Sequence, residues 1–333
     1  MRDPHHHDEK FARIFADKTA LQGALLCNLT YGIEMALFAI CIKLLRGQVQ
    51  NHNLRVKRGS IAFMLVLFVL STICLFSCSA FAHLAFIDHR NFPGGPSAYE
   101  VAMFGKATNQ VGMVAMVIGN WLMDLLLVWR CTVVFSGVAS LFLWTILSIP
   151  CLLFLASLGV GTLFLIRTAR TSPYTSAADW SLAYFSLTFA LNIVVTALIA
   201  ARLLTWRLRF GRVLGAGHVS HYANVAAILI ESASLYSLIL IPLVVTLALK
   251  SPLASLFICT VSHVQFISAL LIVYRIVTGQ GWACDTSIKI VADRHVKTLS
   301  SIQFAPPECG VTTHGLGDDG AKATVSVRVG DLP

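Results

Sequence analysis

Residues 61–76 read IAFMLVLFVLSTICLF, with no charge, proline or glycine among them. The apolar run continues to Ile87, interrupted in character only by His83. An α-helix needs roughly 20 apolar residues to cross a hydrocarbon core about 30 Å thick, and this run exceeds that. A barrel strand would instead alternate apolar and polar residues over about 10 positions. No such alternation is present, so the run predicts a membrane-spanning helix.

Working outward, the same reasoning finds seven such stretches, at 22–45, 61–87, 111–135, 138–166, 181–204, 222–249 and 253–277. Two boundaries need argument. As one helix, Val111 to Ile166 would be about 84 Å long, so the chain must turn once within it. Arg130 followed by Ser136-Gly137 marks that turn. Lys250-Ser251-Pro252 separates the sixth and seventh stretches, with a charge and a helix-starting proline. The fold class expected is all-α, a polytopic membrane protein built as a seven-transmembrane helix bundle. Residues 1–19 are expected to form an extracytosolic N-terminal tail, 20–278 the bundle, and 279–333 a cytosolic tail.

Composition agrees. The 333 residues are 56% apolar and only 12% charged, about half the charge of an ordinary soluble domain. Net charge is +9, but the basic residues fall in short clusters between apolar runs rather than in a patch interleaved with aromatics. That excludes a nucleic-acid binder and makes the charge an orientation signal. One set of loops and flanks holds Lys43, Arg46, Arg55, Lys57, Arg58, Arg130, Arg202, Arg207, Arg209 and Arg212. The opposite set holds Arg90, Lys106, Arg167, Arg170 and Lys250. The richer side is expected in the cytosol, with the N-terminus outside, the C-terminus inside and the plasma membrane as residence. The first 19 residues mix both signs and lack a signal-peptide layout, so the first apolar run reads as a retained span.

Nearly all nine cysteines lie inside the spans, where a thiol behaves as a small apolar residue. The loops of the expected outer side hold none, so no disulfide framework follows. Cys284, in GQGWACD beyond the seventh span, is a lipidation candidate as well as an ordinary free thiol. Asn28-Leu29-Thr30 spells a glycosylation sequon too near the membrane to be modified. The tail beyond 279 carries helical spacing from Trp282 to Leu299 and reads as a short amphipathic helix followed by disorder.

Several stretches resemble one family. They are Tyr31-Gly32-Ile33-Glu34, Asp124 with Leu127-Val128-Trp129-Arg130-Cys131, and Ser186-Leu187 through Asn192 to Ala201-Arg202-Leu203-Leu204. Ile230-Glu231-Ser232 with Leu235-Tyr236-Ser237, and Leu271-Ile272-Val273-Tyr274-Arg275, complete the set. In order and spacing these resemble the large family of seven-helix integral membrane proteins of mushroom-forming fungi. The resemblance covers about 20–280, implies seven spans and a receptor-like layout, and carries no activity or ligand with it.

Ionisable groups at bilayer depth are costly and are functional candidates by default. Glu34, His83, Asp124, Glu231 and His263 qualify, with Asn120, Asn192 and Gln265 as neutral companions. Asn120 and Asp124, four apart, share a helix face. Asp124, Glu231 and Asn192 are expected to meet in the inner half of the bundle, with Arg130 and Arg202 at its inner boundary. The candidate polar network is therefore Glu34, Asn120, Asp124, Arg130, Asn192, Arg202 and Glu231. It serves either to fix helix register or to hold a ligand, proton or ion. His83 reads as interfacial. His263 and Gln265, two apart, point to different faces.

No catalytic, cofactor or metal site is expected. Gly315–Gly320 spells GxGxxG, but no strand precedes it and two aspartates would repel a phosphate. The seventh span has no lysine for a retinal Schiff base. Trp129-Arg130-Cys131 and Leu270–Tyr274 stand where the main class of G-protein-coupled receptors has other motifs. The leading expectation is a receptor- or sensor-like protein without catalysis. It would bind an unknown small ligand in the outer half of the bundle and present basic loops to a cytosolic signalling partner. The alternatives are a small-solute or proton transporter using intramembrane carboxylates and, third, an intramembrane enzyme.

Overall fold

The computed structural model describes residues 4–47, 54–135, 140–171, 178–210 and 216–277. These belong to the first of two units, Met1–Ala283; the second is Cys284–Pro333. Cys284, the amphipathic tail helix and the segment after it lie outside the described residues. So do Ser136-Gly137 themselves.

Among the described residues all regular structure is helical. The chain order is α1 (Pro4–Gly47), α2 (Leu54–His83), α3 (Pro96–Ala102), α4 (Ala107–Phe135), α5 (Ser140–Thr168), α6 (Ala178–Phe210), α7 (Ala216–Ala248), α8 (Ala254–Ile258) and α9 (Thr260–Val277). Seven helical stretches are long and apolar enough to cross a membrane: α1, α2, α4, α5, α6, α7 and the α8–α9 pair. The protein is an all-α, seven-helix membrane bundle. Helix α4 ends at Phe135 and α5 begins at Ser140, so 111–166 holds two helices packed on each other, as the sequence predicts. At the N-terminus, α1 begins at Pro4 and runs through the charged segment expected to be a tail. Proline suits a first helical turn, where its missing N–H has no intrahelical partner to lose.

The break after α7 is a C-terminal cap. Lys250 N–H donates to Leu247 O at 3.0 Å and Ser251 N–H to Thr246 O at 2.9 Å. This pair of bonds ties off helix carbonyls when the residue after the helix turns left-handed. That residue is Lys250, at φ 48°.

The helices close into a ring: α1 packs on α2, α2 on α4, α4 on α5, α5 on α6, α6 on α7, α7 on α9 and α9 back on α1. Helix α9 also touches α2 and α4. Every position from Thr260 to Leu270 is buried, so α9 has no lipid face over three turns. Close approach is built in at two glycines. A Cβ on Gly23 would stand 2.7 Å from Ser255 O, and one on Gly119 would stand 2.6 Å from the Phe266 ring. Within a bilayer such small residues let backbones meet where dispersion must do the work of hydrophobicity.

The end of the bundle where α2 finishes and α4 begins is closed by a plug. Helix α2 continues through a π-turn at Leu84–Asp88, and α3 follows. Tyr99, almost wholly buried, stacks on His89 and meets Phe81 and Phe92. Lys106 Nζ donates to the Tyr99 hydroxyl at 2.6 Å. Asp17 of α1 accepts the Ser97 N–H at 2.9 Å, so the first helix caps the plug's own helix. The opposite end carries Arg130, Arg202 and Arg275.

Candidate polar sites on either side of helix nine

Because α9 is enclosed all round, its polar residues have only other helices to face. His263 and Gln265, two apart, turn to opposite sides and organise two separate centres, as their spacing predicts.

The first centre joins α1, α2 and α9. Ser71 Oγ donates to Glu34 Oε2 at 2.7 Å and lies 2.9 Å from His263 Nδ1. His263 Nδ1 lies 2.8 Å from the same Glu34 oxygen. All three residues are at most 1% exposed. One oxygen, one hydroxyl and one ring nitrogen thus form a closed triangle from three helices. Around it Tyr31 donates or accepts with Thr72 at 2.9 Å and meets the His263 ring edge-on, with centroids 5.8 Å apart. The second imidazole nitrogen, Nε2, is buried without a hydrogen-bond partner among the described residues.

The second centre joins α4, α6, α7 and α9. Asp124 and Asn120 are fully buried, one turn apart on α4. Gln265 stands beside Asp124, and Tyr184 of α6 beside Asn120. Next to them is a cavity of about 30 Å³, into which Arg130, Asn192, Tyr236 and Gln265 point among apolar neighbours. Among the described residues, both Asp124 oxygens, Asn192 Nδ2, the Tyr236 hydroxyl, both ends of the Gln265 amide and Arg130 Nη1 have no hydrogen-bond partner. Buried polar groups are normally partnered, and one left alone costs about 1–3 kcal/mol. The volume suits about one or two water molecules with several such partners each. It is far below the roughly 300 Å³ at which organic-ligand pockets begin.

An apolar cluster flanks this level on each side. One, toward the plug, contains Met116, Phe164, Tyr184, Phe185, Leu240 and Leu243; the other, toward the basic end, contains Cys131, Phe135, Leu191, Val195 and Ile199. The cavity therefore lies in the half carrying Arg130 and Ile272, whereas sequence reasoning expects a ligand in the half away from the basic loops, which is the half where the plug lies.

The seven candidate residues divide. Asn120, Asp124, Arg130 and Asn192 come together at the second centre. Glu34 does not join them: α9 stands between, and it pairs with His263 instead. Glu231 is not a partner of Asp124 either. Its side chain is 61% exposed and bonds Arg275 Nη2 at 2.6 Å, linking α7 to α9 at the bundle's edge. Counting residues along the helix does not give the face that Glu231 presents. Arg202 stacks over Phe135 and Trp206, at 5.6 and 4.8 Å. His83 is exposed, 3.8 Å from Asp88.

Sequence reasoning overlooks Ser71, Tyr184 and Tyr236. Ser71-Thr72 is the one adjacent hydroxyl pair inside the run 61–76, and that was the available signal. Compared with family models, curated proteins and solved structures, the chain matches none of them.

Proposed function

We propose that this chain is a sensor- or receptor-like membrane protein without catalytic function, in which the polar state of the interior sets how α9 packs against its neighbours. The observation that supports this reading is the position of α9. It has no lipid face, one side of it is tied to Glu34 and Ser71, and the other faces a partnerless carboxylate and a small polar cavity. A change in the protonation or solvation of Asp124, which faces Gln265, Asn120, Tyr184 and Tyr236, alters bonds that only α9 can redistribute. The effector is a proton, an ion or a small polar solute, since the cavity has no room for an organic molecule without helix movement. In this reading the basic end faces the cytosol at the plasma membrane, where a signalling partner would bind. The motif order quoted above supports placing the chain with the seven-helix fungal family.

The test is reconstitution into vesicles, with intrinsic tryptophan fluorescence followed across pH beside solute and proton flux. The expected result is a fluorescence transition that Asp124→Asn removes, without flux. Flux abolished by Asp124→Asn would overturn the reading in favour of a transporter. A C-terminal tag reachable from outside intact cells would overturn the orientation.

A further inference from the structure

Three cysteines from three helices meet one layer from the Glu34–Ser71–His263 triangle. Cys78 Sγ of α2 lies 3.1 Å from Cys259 Sγ. Cys27 Sγ of α1 stands 3.8 Å from the Cys259 carbonyl oxygen and adjoins Cys78. The register is regular. Cys27, Glu34 and Cys41 are seven apart on α1, while Cys78, Ser71 and Met64 run seven apart down α2. Cys41 in turn donates to Leu270 O at 3.5 Å. Sevenfold spacing keeps one helix face against its partner, so the thiol layer belongs to the same seam as the triangle.

We propose that Cys78 and Cys259 form a thiol–disulfide couple that is oxidised by hydroperoxides dissolved in the bilayer and that staples α2 to the start of the last span. Three observations select this pair. The sulfurs need to close by only about 1 Å to reach the bonding distance of ~2.05 Å. Cys259 is the single residue at the joint between α8 and α9, where the last span is not one unbroken helix. Cys78 and Cys259 are both half-buried, whereas Cys27 is enclosed and directed to a carbonyl.

The reaction balances in two steps. The Cys78 sulfur attacks one oxygen of ROOH. The O–O bond breaks, RO⁻ leaves and takes the thiol proton as ROH, and Cys78 becomes a sulfenic acid. The Cys259 sulfur then attacks the Cys78 sulfur. The S–O bond breaks, hydroxide leaves with the Cys259 proton as water, and the S–S bond forms. Two thiols lose two electrons and two protons, and the hydroperoxide takes them up to become alcohol and water. This chemistry does not depend on the sensor reading.

The test uses the full chain in phosphatidylcholine vesicles treated with cumene hydroperoxide and digested under conditions that block free thiols. Peptide mass spectrometry is expected to find the Cys78–Cys259 cross-link rising about tenfold over untreated protein and reversing with a phosphine. Cys27→Ser is expected to keep the cross-link, and Cys259→Ser to leave Cys78 as the sulfenic acid, trapped by dimedone. The wild-type measurement requires no variant to fold. Cross-links confined to Cys27, or oxidation of the exposed Cys151 while Cys78 and Cys259 stay reduced, would overturn the proposal.

Discussion

At the scale of single residues, the triangle of Glu34, Ser71 and His263 makes unequal demands. Ser71→Ala removes two short contacts but leaves the 2.8 Å contact between Glu34 and His263. Interhelical hydrogen bonds in membranes are worth about 0.6–2 kcal/mol, so the loss is expected to be of that size. His263→Leu instead strands a buried carboxylate, and removing one member of such a pair costs about 3–5 kcal/mol. The double change Glu34→Leu with His263→Leu should recover much of the second loss. Denaturant unfolding in bicelles would rank the three variants, and equal losses for all would contradict the geometry. A second residue acts through its backbone. Lys250 holds φ 48°, where a side chain costs roughly 1 kcal/mol and glycine nothing. Lys250→Gly is therefore expected to stabilise the bundle, and Lys250→Val to weaken it by more than that, both read by thermal unfolding.

Between elements, contact is set by size. Gly23 of α1 meets the backbone of α8, which cannot yield as a flexible side chain would, whereas nothing stands within 4 Å of where Gly32 would carry a Cβ. Gly23→Val should separate α1 from α8 and lose most folded protein, and Gly32→Ala should change little; size-exclusion yield distinguishes them. The plug element adds a dependence on pH. Burial in the loop between α2 and α4, with Cys78 and Asp17 nearby, pushes Glu100 up from an ordinary value of 4.5 to about 8. The folded form thus holds its proton where the unfolded chain has released it. Its contribution to stability is complete below about pH 4.5 and disappears as pH rises through about 8. Protection factors for hydrogen exchange over residues 89–104 should fall across that window in the wild type and stay flat in Glu100→Gln. Span existence and both contested turns were legible in the sequence, because twenty-odd apolar residues in a row have one physical use. The plug was not, because Phe92, Tyr99 and Phe104 are anchored by partners from three separate segments.

For the molecule as a whole, azimuth was not readable from the sequence. Counting from a span's end places Asp124, Asn192 and Glu231 at comparable levels, but which way each side chain turns depends on the ring order of the helices. That order decides that Glu231 reaches Arg275 at the rim, and that Glu34 lies across α9 from Asp124. Ring order is a property of all seven helices together, and no local pattern encodes it. It also has a consequence for how the protein is made. The first and last spans are neighbours, so Glu34 and Ser71 enter the membrane early while His263 is still unsynthesised. Until the seventh span arrives, the carboxylate has only the serine for company, and the seam that the finished bundle depends on stays open. A ribosome stalled before residue 254 should therefore hold an inserted but loosely joined set of helices, exposed to the membrane's quality control, and assembly should become protease-resistant only when α9 slides in as the closing piece.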